Sequence, residues 1–149
     1  MIAIKKELLA YCEQAVQARH RTIKNTINDI EDSLFEATKS SAGDKHETER
    51  AMLQIDRERA GRQLQEIEKL QQLIKQIPIT LAKSCTLGSL VLTTSGNYFL
   101  SLSVGSVTIE DTLFFCVAMD APIAQLLRGK TQGDVFVFQG KEHTINQLV

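Results

Sequence analysis

Apolar residues recur every seven positions through the first half of this chain. Leu9, Val16, Ile23, Ile30 and Ala37 fall at that interval, with Ile27 and Leu34 between them. Leu53, Ala60, Ile67 and Ile74 repeat the spacing further on, with Leu64, Leu70 and Ile77 between. A sustained seven-residue repeat with charged flanks is a coiled-coil seam, because it keeps one narrow apolar stripe facing a partner helix. One uninterrupted helix is excluded by Ser40-Ser41-Ala42-Gly43-Asp44, since Ser, Gly and Asp favour turns and caps over helix interiors. The pattern predicts an antiparallel helical hairpin. Each helix should run roughly 33–35 residues, or ~50 Å at about 1.5 Å per residue. Two bare helices have a thin core, so such an arm must gain stability from its base or from a partner.

Composition changes sharply beyond the second heptad run. Residues 1–77 carry 26 of the 35 charged side chains, 13 of each sign, and residues 78–149 carry nine. The first segment has no proline and two glycines, Gly43 and Gly61; the second holds both prolines and six of the eight glycines. A proline at 78 should also stop a helix at or before Ile77. Two domains are predicted, a coiled-coil hairpin over 1–77 with its tip at 40–47, and a β-rich domain over 78–149. In the latter, Ser89–Thr93 and Tyr98–Leu102 flank Thr94-Ser95-Gly96-Asn97 as a hairpin. Leu113–Ala118 is a continuous apolar run that suits a buried strand. Ala121–Arg128 suits a short helix with Pro122 at its start and Gly129 past its end. Val135–Phe138 and Glu142–Gln147 form a second hairpin around Gln139-Gly140-Lys141. The fold class is therefore α+β, with about five strands and one short helix.

Several functions are excluded at the same level. A net charge of −1 argues against a free-standing nucleic-acid binder held by bulk positive charge. The longest apolar run, Leu113–Met119, is far short of the roughly 20 residues that span a bilayer. No basic-then-apolar signal pattern opens the chain. Cys12, Cys85 and Cys116 are scattered and odd in number, and read as reduced, partly buried thiols of a cytoplasmic protein. Gly129-Lys130-Thr131 is not a phosphate loop, because the position five residues before Gly129 is Ala124. His20, His46 and His143 are isolated, and no nucleophile–base arrangement can be nominated.

Two features carry chemistry. At the tip, Asp44 and Glu47 stand three residues apart. From spacing alone that is first a capping-box-like helix start; the functional reading beside it is a pair of hard oxygen ligands suited to Mg²⁺, which takes one or two protein carboxylates and keeps waters or substrate oxygens. Around it, Asp29–Glu49 holds seven acids and two bases. Further from the tip the sign reverses. Arg19, Arg21, Lys24, Arg59 and Arg62 are expected to form a basic belt ~30 Å below it. The belt is either an ordinary solvated face or a surface that meets phosphates or an acidic partner.

Two stretches together resemble the Gre-type bacterial transcript cleavage factors, the GreA/GreB family of transcription elongation factors. The first is Gly43-Asp44-Lys45-His46-Glu47-Thr48, which is similar to that family's Gly-Asp-x-x-Glu-Asn except at Thr48. The second runs Ala121-Pro122-Ile123-Ala124-Gln125-Leu126-Leu127-Arg128-Gly129-Lys130-Thr131-Gln132-Gly133-Asp134-Val135, followed by Gly140–Ile145. Ala121 and Ala124 stand where the family usually has Ser and Gly. The resemblance covers nearly the whole chain. It implies an FKBP-like C-terminal domain that docks on bacterial RNA polymerase, and a coiled coil that enters the secondary channel. It further implies that Asp44 and Glu47 act at the polymerase's own catalytic centre. There they would hold a second Mg²⁺, in the complex only, and position water against the backtracked 3′ end of the nascent RNA. The chain would be a stimulator of another enzyme's site, a cytoplasmic monomer, with no residue assigned to an organic cofactor; the family's transcription-regulation and DNA-binding roles go with this reading. Two alternatives stay open, a channel-binding regulator without cleavage and a coiled-coil adaptor for an unrelated protein. Peptidyl-prolyl isomerase activity would follow from the fold alone, and a chain without Trp and with two Tyr is ill-equipped for the aromatic pocket it needs.

Overall fold

Two long helices open the chain, α1 (Ile2–Lys39) and α2 (Asp44–Gln76). The computed structural model describes residues 1–39 and 44–149, and the side chains of all of these except 44–46. Of the tip expected at 40–47, residues 40–43 lie outside the described residues. The stop at Gln76 agrees with the position of Pro78. Six strands follow: β1 (Leu90–Thr93), β2 (Asn97–Ser101), β3 (Gly105–Ile109), β4 (Thr112–Ala118), β5 (Val135–Phe138) and β6 (Lys141–Leu148). One short helix, α3 (Pro122–Leu127), lies between β4 and β5. The protein is α+β, as its patterning predicts. Among the described residues no helix is long and apolar enough to cross a membrane.

By contacts the chain divides into two compact units, one of Val16–Gln71 and one of Met1–Ala15 with Gln72–Val149. In the first, Ile23, Ile27 and Ala60 form a buried cluster against which Ile30, Leu64 and Ile67 pack. All six belong to the seven-residue series or its intermediate positions, so the apolar stripe of α1 packs on that of α2. The Arg57 Nε–H donates to Glu31 Oε1 at 3.2 Å across the same pair.

The second unit is built on a mixed sheet of order β3-β4-β2-β1-β6-β5. β1–β2, β1–β6, β3–β4 and β5–β6 are antiparallel, and β2–β4 is parallel. On one face Val91, Tyr98, Leu100, Phe136 and Ile145 form a core with Ile123, Ala124 and Leu127 of α3. Because side chains alternate along a strand, Leu90, Phe99 and Ser101 point the other way, and all three are fully buried. The first turns of α1 serve that side. Leu8 and Cys12 are fully buried. Cys12 Sγ lies 3.6 Å from Ser101 Oγ, and the Tyr11 hydroxyl sits 3.3 Å from the carbonyl oxygens of Val104 and Ser106.

Three details depart from the patterning. The sheet has six strands, because Gly105–Ile109 pairs with β4. Its turn, Glu110-Asp111, has both residues at positive φ, 50° and 62°, the geometry of a two-residue I′ hairpin normally marked by Asn-Gly. The Gln139-Gly140 turn does the same at 52° and 77°, and there the glycine announces it. Second, β4 is not buried on both faces. Phe114 and Cys116 are buried, whereas Leu113 and Phe115 are 46% and 38% exposed. Third, β2 and β4 pair in parallel, with β3 between them in sequence and at the sheet edge in space.

Candidate functional site

The tip motif opens α2. Asp44 is its first residue and Glu47 lies one turn in, exposed. A spacing of three places both positions on neighbouring parts of one helical face. The side chain of Asp44, and with it the capping role, falls outside the described residues. No group of three or more His, Cys, Asp or Glu side chains able to hold a metal ion occurs among the described residues.

The basic belt resolves into two parts. Arg19, Arg59 and Arg62 line a cleft of about 670 Å³ along the helical unit, with Ile23, Ile67 and Leu70 at its floor. Arg21 and Lys24 are exposed and do not line it. At about 100° per residue, Lys24 and Arg21 are turned well away from Thr22 and Thr26, which face the cleft. The expected single ring of cations is therefore a three-arginine edge around an apolar floor, and that floor was invisible in the charge count.

The C-terminal motif is an ordered frame. The Thr131 N–H donates to Asp134 Oδ2 at 2.8 Å, and the Thr131 hydroxyl donates to the Lys83 carbonyl at 3.0 Å. Cys85 N–H donates to the Lys130 carbonyl, and Gly129 N–H donates back to the Cys85 carbonyl. Gly129–Asp134 thus pins the segment after α2 to the end of α3. Nearby on β6, His143 Nδ1 lies 3.1 Å from Thr94 Oγ1, which also accepts the Thr144 N–H. These groups edge a polar cleft of about 310 Å³ with Ser95, Phe138, Gln139 and Lys141.

Sequence reasoning missed two internal features. Lys5 is fully buried, and its ammonium donates to the Thr80 carbonyl at 2.7 Å. Burial pushes its pKa below the ordinary lysine value. All three cysteines are free and buried. Cys116 hydrogen-bonds Cys12, which pulls the Cys12 thiol down and pushes the Cys116 thiol up. A lysine in a helix otherwise rich in charge gives no sign of burial. Two cysteines 104 positions apart give no sign that β4 will lie beneath α1.

No known protein family, curated protein or solved structure matches the chain.

Proposed function

We propose that this chain is a cytoplasmic secondary-channel factor of bacterial RNA polymerase, of the Gre type, that stimulates cleavage of backtracked RNA. On this reading α1 and α2 form an antiparallel coiled-coil hairpin and the sheet unit is an FKBP-like docking domain. Asp44 and Glu47 enter the polymerase's catalytic centre. The supporting observation is that α2 begins at Asp44, so both carboxylate positions occupy the first turn of a 33-residue helix. A stiff helix ~50 Å long can present two acids at a fixed point inside a deep channel, which a loop cannot do.

The chemistry follows from that placement. In two-metal phosphodiester cleavage, one ion activates the attacking oxygen and the other stabilises the leaving one. When bound in the complex, Mg²⁺ supplies that charge stabilisation. Asp44 and Glu47 would help hold and orient such an ion, and a displacement of ~1 Å would cost about 100-fold in rate. The chain is not an enzyme by itself; its partners are the polymerase and the nascent RNA 3′ end. The test is RNA release from a stalled, backtracked elongation complex at limiting Mg²⁺. Stimulation by the wild-type chain is expected. Tight polymerase binding without stimulation would identify a channel-blocking regulator, and no binding at all would identify an adaptor for another protein.

A further inference from the structure

The pairing of the sheet brings two hairpin turns to one place. β1 is antiparallel to both β2 and β6, and β6 to β5, so the β1–β2 and β5–β6 turns lie at the same end of the sheet. The register of β6 on β1 slips there: Leu92 stands opposite Gln147, and Thr93 opposite Ile145. The slip carries Thr94 past Ile145 to Thr144, whose carbonyl accepts the Thr94 N–H at 3.1 Å. Irregularities of this kind re-aim side chains, and here Thr94 Oγ1 comes to lie 3.1 Å from His143 Nδ1. In the other hairpin Phe136 pairs with His143 and Phe138 with Lys141. Because side chains alternate along a strand, Ile145, His143 and Lys141 share one face of β6, the face on which Phe136 and Ile145 are core. Toward the turn that face changes from apolar to hydrogen-bond donor.

The donors can be counted. Thr94 Oγ1 already accepts the Thr144 N–H at 3.0 Å. Thr94 and a neutral His143 hold two polar side-chain hydrogens between them, and their mutual contact uses one. If the hydroxyl donates to Nδ1, the Nε2–H is left over; if Nδ1–H donates, the hydroxyl hydrogen is left over. Either way one hydrogen has no acceptor among the described residues. Lys141 is exposed and has no carboxylate within ion-pair distance among them. Both groups line the 310 Å³ cleft, Gln139 adds its amide, and no Asp or Glu lines it. Ser95 is held as a fixed wall, its hydroxyl 2.9 Å from Thr93 Oγ1 and 3.1 Å from the Tyr98 hydroxyl. Half-buried Phe138 supplies an apolar side.

We infer that this cleft binds a small phosphate monoester, with the phosphate against Lys141 and the Thr94–His143 pair and the esterified group beside Phe138. The donors come from two separate hairpins, and a tetrahedral phosphate offers three outward oxygens to them where a carboxylate offers two in one plane. A volume of 310 Å³ lies at the small end of ligand sites, enough for a phosphate and a ring-sized group. The chain as a whole carries a net charge of −1, so bulk attraction does not draw anions to it. The attraction is local, made by one unpaired ammonium and an uncommitted hydrogen in a cleft without acids. The inference uses the sheet unit alone and does not depend on the transcription reading.

The test is a titration of the full chain followed by two-dimensional ¹H–¹⁵N NMR at about 100 mM salt, with phenyl phosphate and inorganic phosphate as probes. Phenyl phosphate should shift the amides of Thr94, Ser95 and 139–143 saturably, with Kd on the order of 1 mM. Inorganic phosphate should shift the same amides and bind several-fold more weakly, because it leaves Phe138 uncovered. Lys141→Gln removes an exposed side chain that holds nothing else in place, and should weaken phenyl phosphate about tenfold or more. Lys130→Gln, outside the cleft, should leave the affinity unchanged. His143→Phe keeps a ring beside Phe136 and should weaken binding as well; its amide spectrum shows whether the sheet is intact. Shifts that do not saturate, or that spread over lysines throughout the chain, would overturn the inference. So would a Lys141→Gln chain that binds like wild type. A pentanucleotide lacking a terminal phosphate that shifts these amides at lower concentration than phenyl phosphate would overturn the monoester assignment in favour of a nucleic-acid backbone.

Discussion

Burial pushes the Cys85 thiol up to about 11, with the Asp134 carboxylate adding to the effect and Lys130 opposing it. The sign of the consequence is fixed. With its folded pKa raised above the ordinary thiol value of 9.0, Cys85 contributes stability that is complete below pH 9 and lost as pH rises through 11. A rise of that size corresponds to about 2–3 kcal/mol. Thermal melts from pH 8 to 11 should show an alkaline limb that Cys85→Ala flattens, whatever that variant does to stability at neutral pH. Lys5 makes a different forecast. Its ammonium is desolvated and donates to one carbonyl, that of Thr80. Lys5→Met keeps the stem packing, gives up the hydrogen bond and removes the charge from the interior. It should change stability by no more than ~1 kcal/mol. Lys5→Glu aims a buried anion at a carbonyl oxygen and should cost about 3 kcal/mol or more. Denaturant titration of the two variants distinguishes them directly.

Secondary-structure elements differ in how openly their sequences declare them. The helices were legible because one stripe of Ile, Leu and Val does one job, which is packing α1 on α2 through Ile23, Ile27 and Ala60. The first and last hairpins were legible because Gly96 and Gly140 punctuate their turns. β3 was not, since the Glu110-Asp111 turn lacks any glycine to mark it. Glu110 sits at positive φ without favouring it, and Asp111 stands where a I′ turn usually carries glycine. Replacing them with Asn-Gly relieves the left-handed backbone at both positions. The double variant Glu110→Asn, Asp111→Gly should stabilise the sheet unit by ~1 kcal/mol, seen as a higher urea midpoint at unchanged slope. The parallel β2–β4 pairing was hidden for another reason: it depends on which edge β3 takes, and no local pattern encodes that.

At the scale of the molecule, the tip motif was legible as chemistry and the cleft was not. Asp44 and Glu47 are neighbours in sequence, whereas the cleft needs α1 and α2 side by side before Ile23, Ile67 and Leu70 make one floor. The tip assignment meets its own capping alternative in one substitution. Asparagine caps a helix about as well as aspartate, so Asp44→Asn should keep folding and polymerase binding. It exchanges an anionic ligand for a neutral one, and cleavage of backtracked RNA should fall ~10- to 100-fold or more. Glutamine at 47 is equally able to make a reciprocal capping hydrogen bond, so Glu47→Gln should keep folding and lose activity likewise. Cleavage rates at saturating factor and limiting Mg²⁺ check both; an equally active D44N chain would leave Asp44 as a cap alone. Finally, the unit that contains the sheet is discontinuous, taking Met1–Ala15 from one end of the chain and Gln72–Val149 from the other. During synthesis at roughly 5–20 residues per second, Leu8 and Cys12 wait on the order of 5–20 s before the strands that bury them leave the ribosome. Early pairing of α1 with α2 would bring Ala15 and Gln72 together and replace a long loop closure with a short one. The heptad stripe would then act as a folding chaperone carried within the chain, holding an earlier-made segment in place for a later-made one.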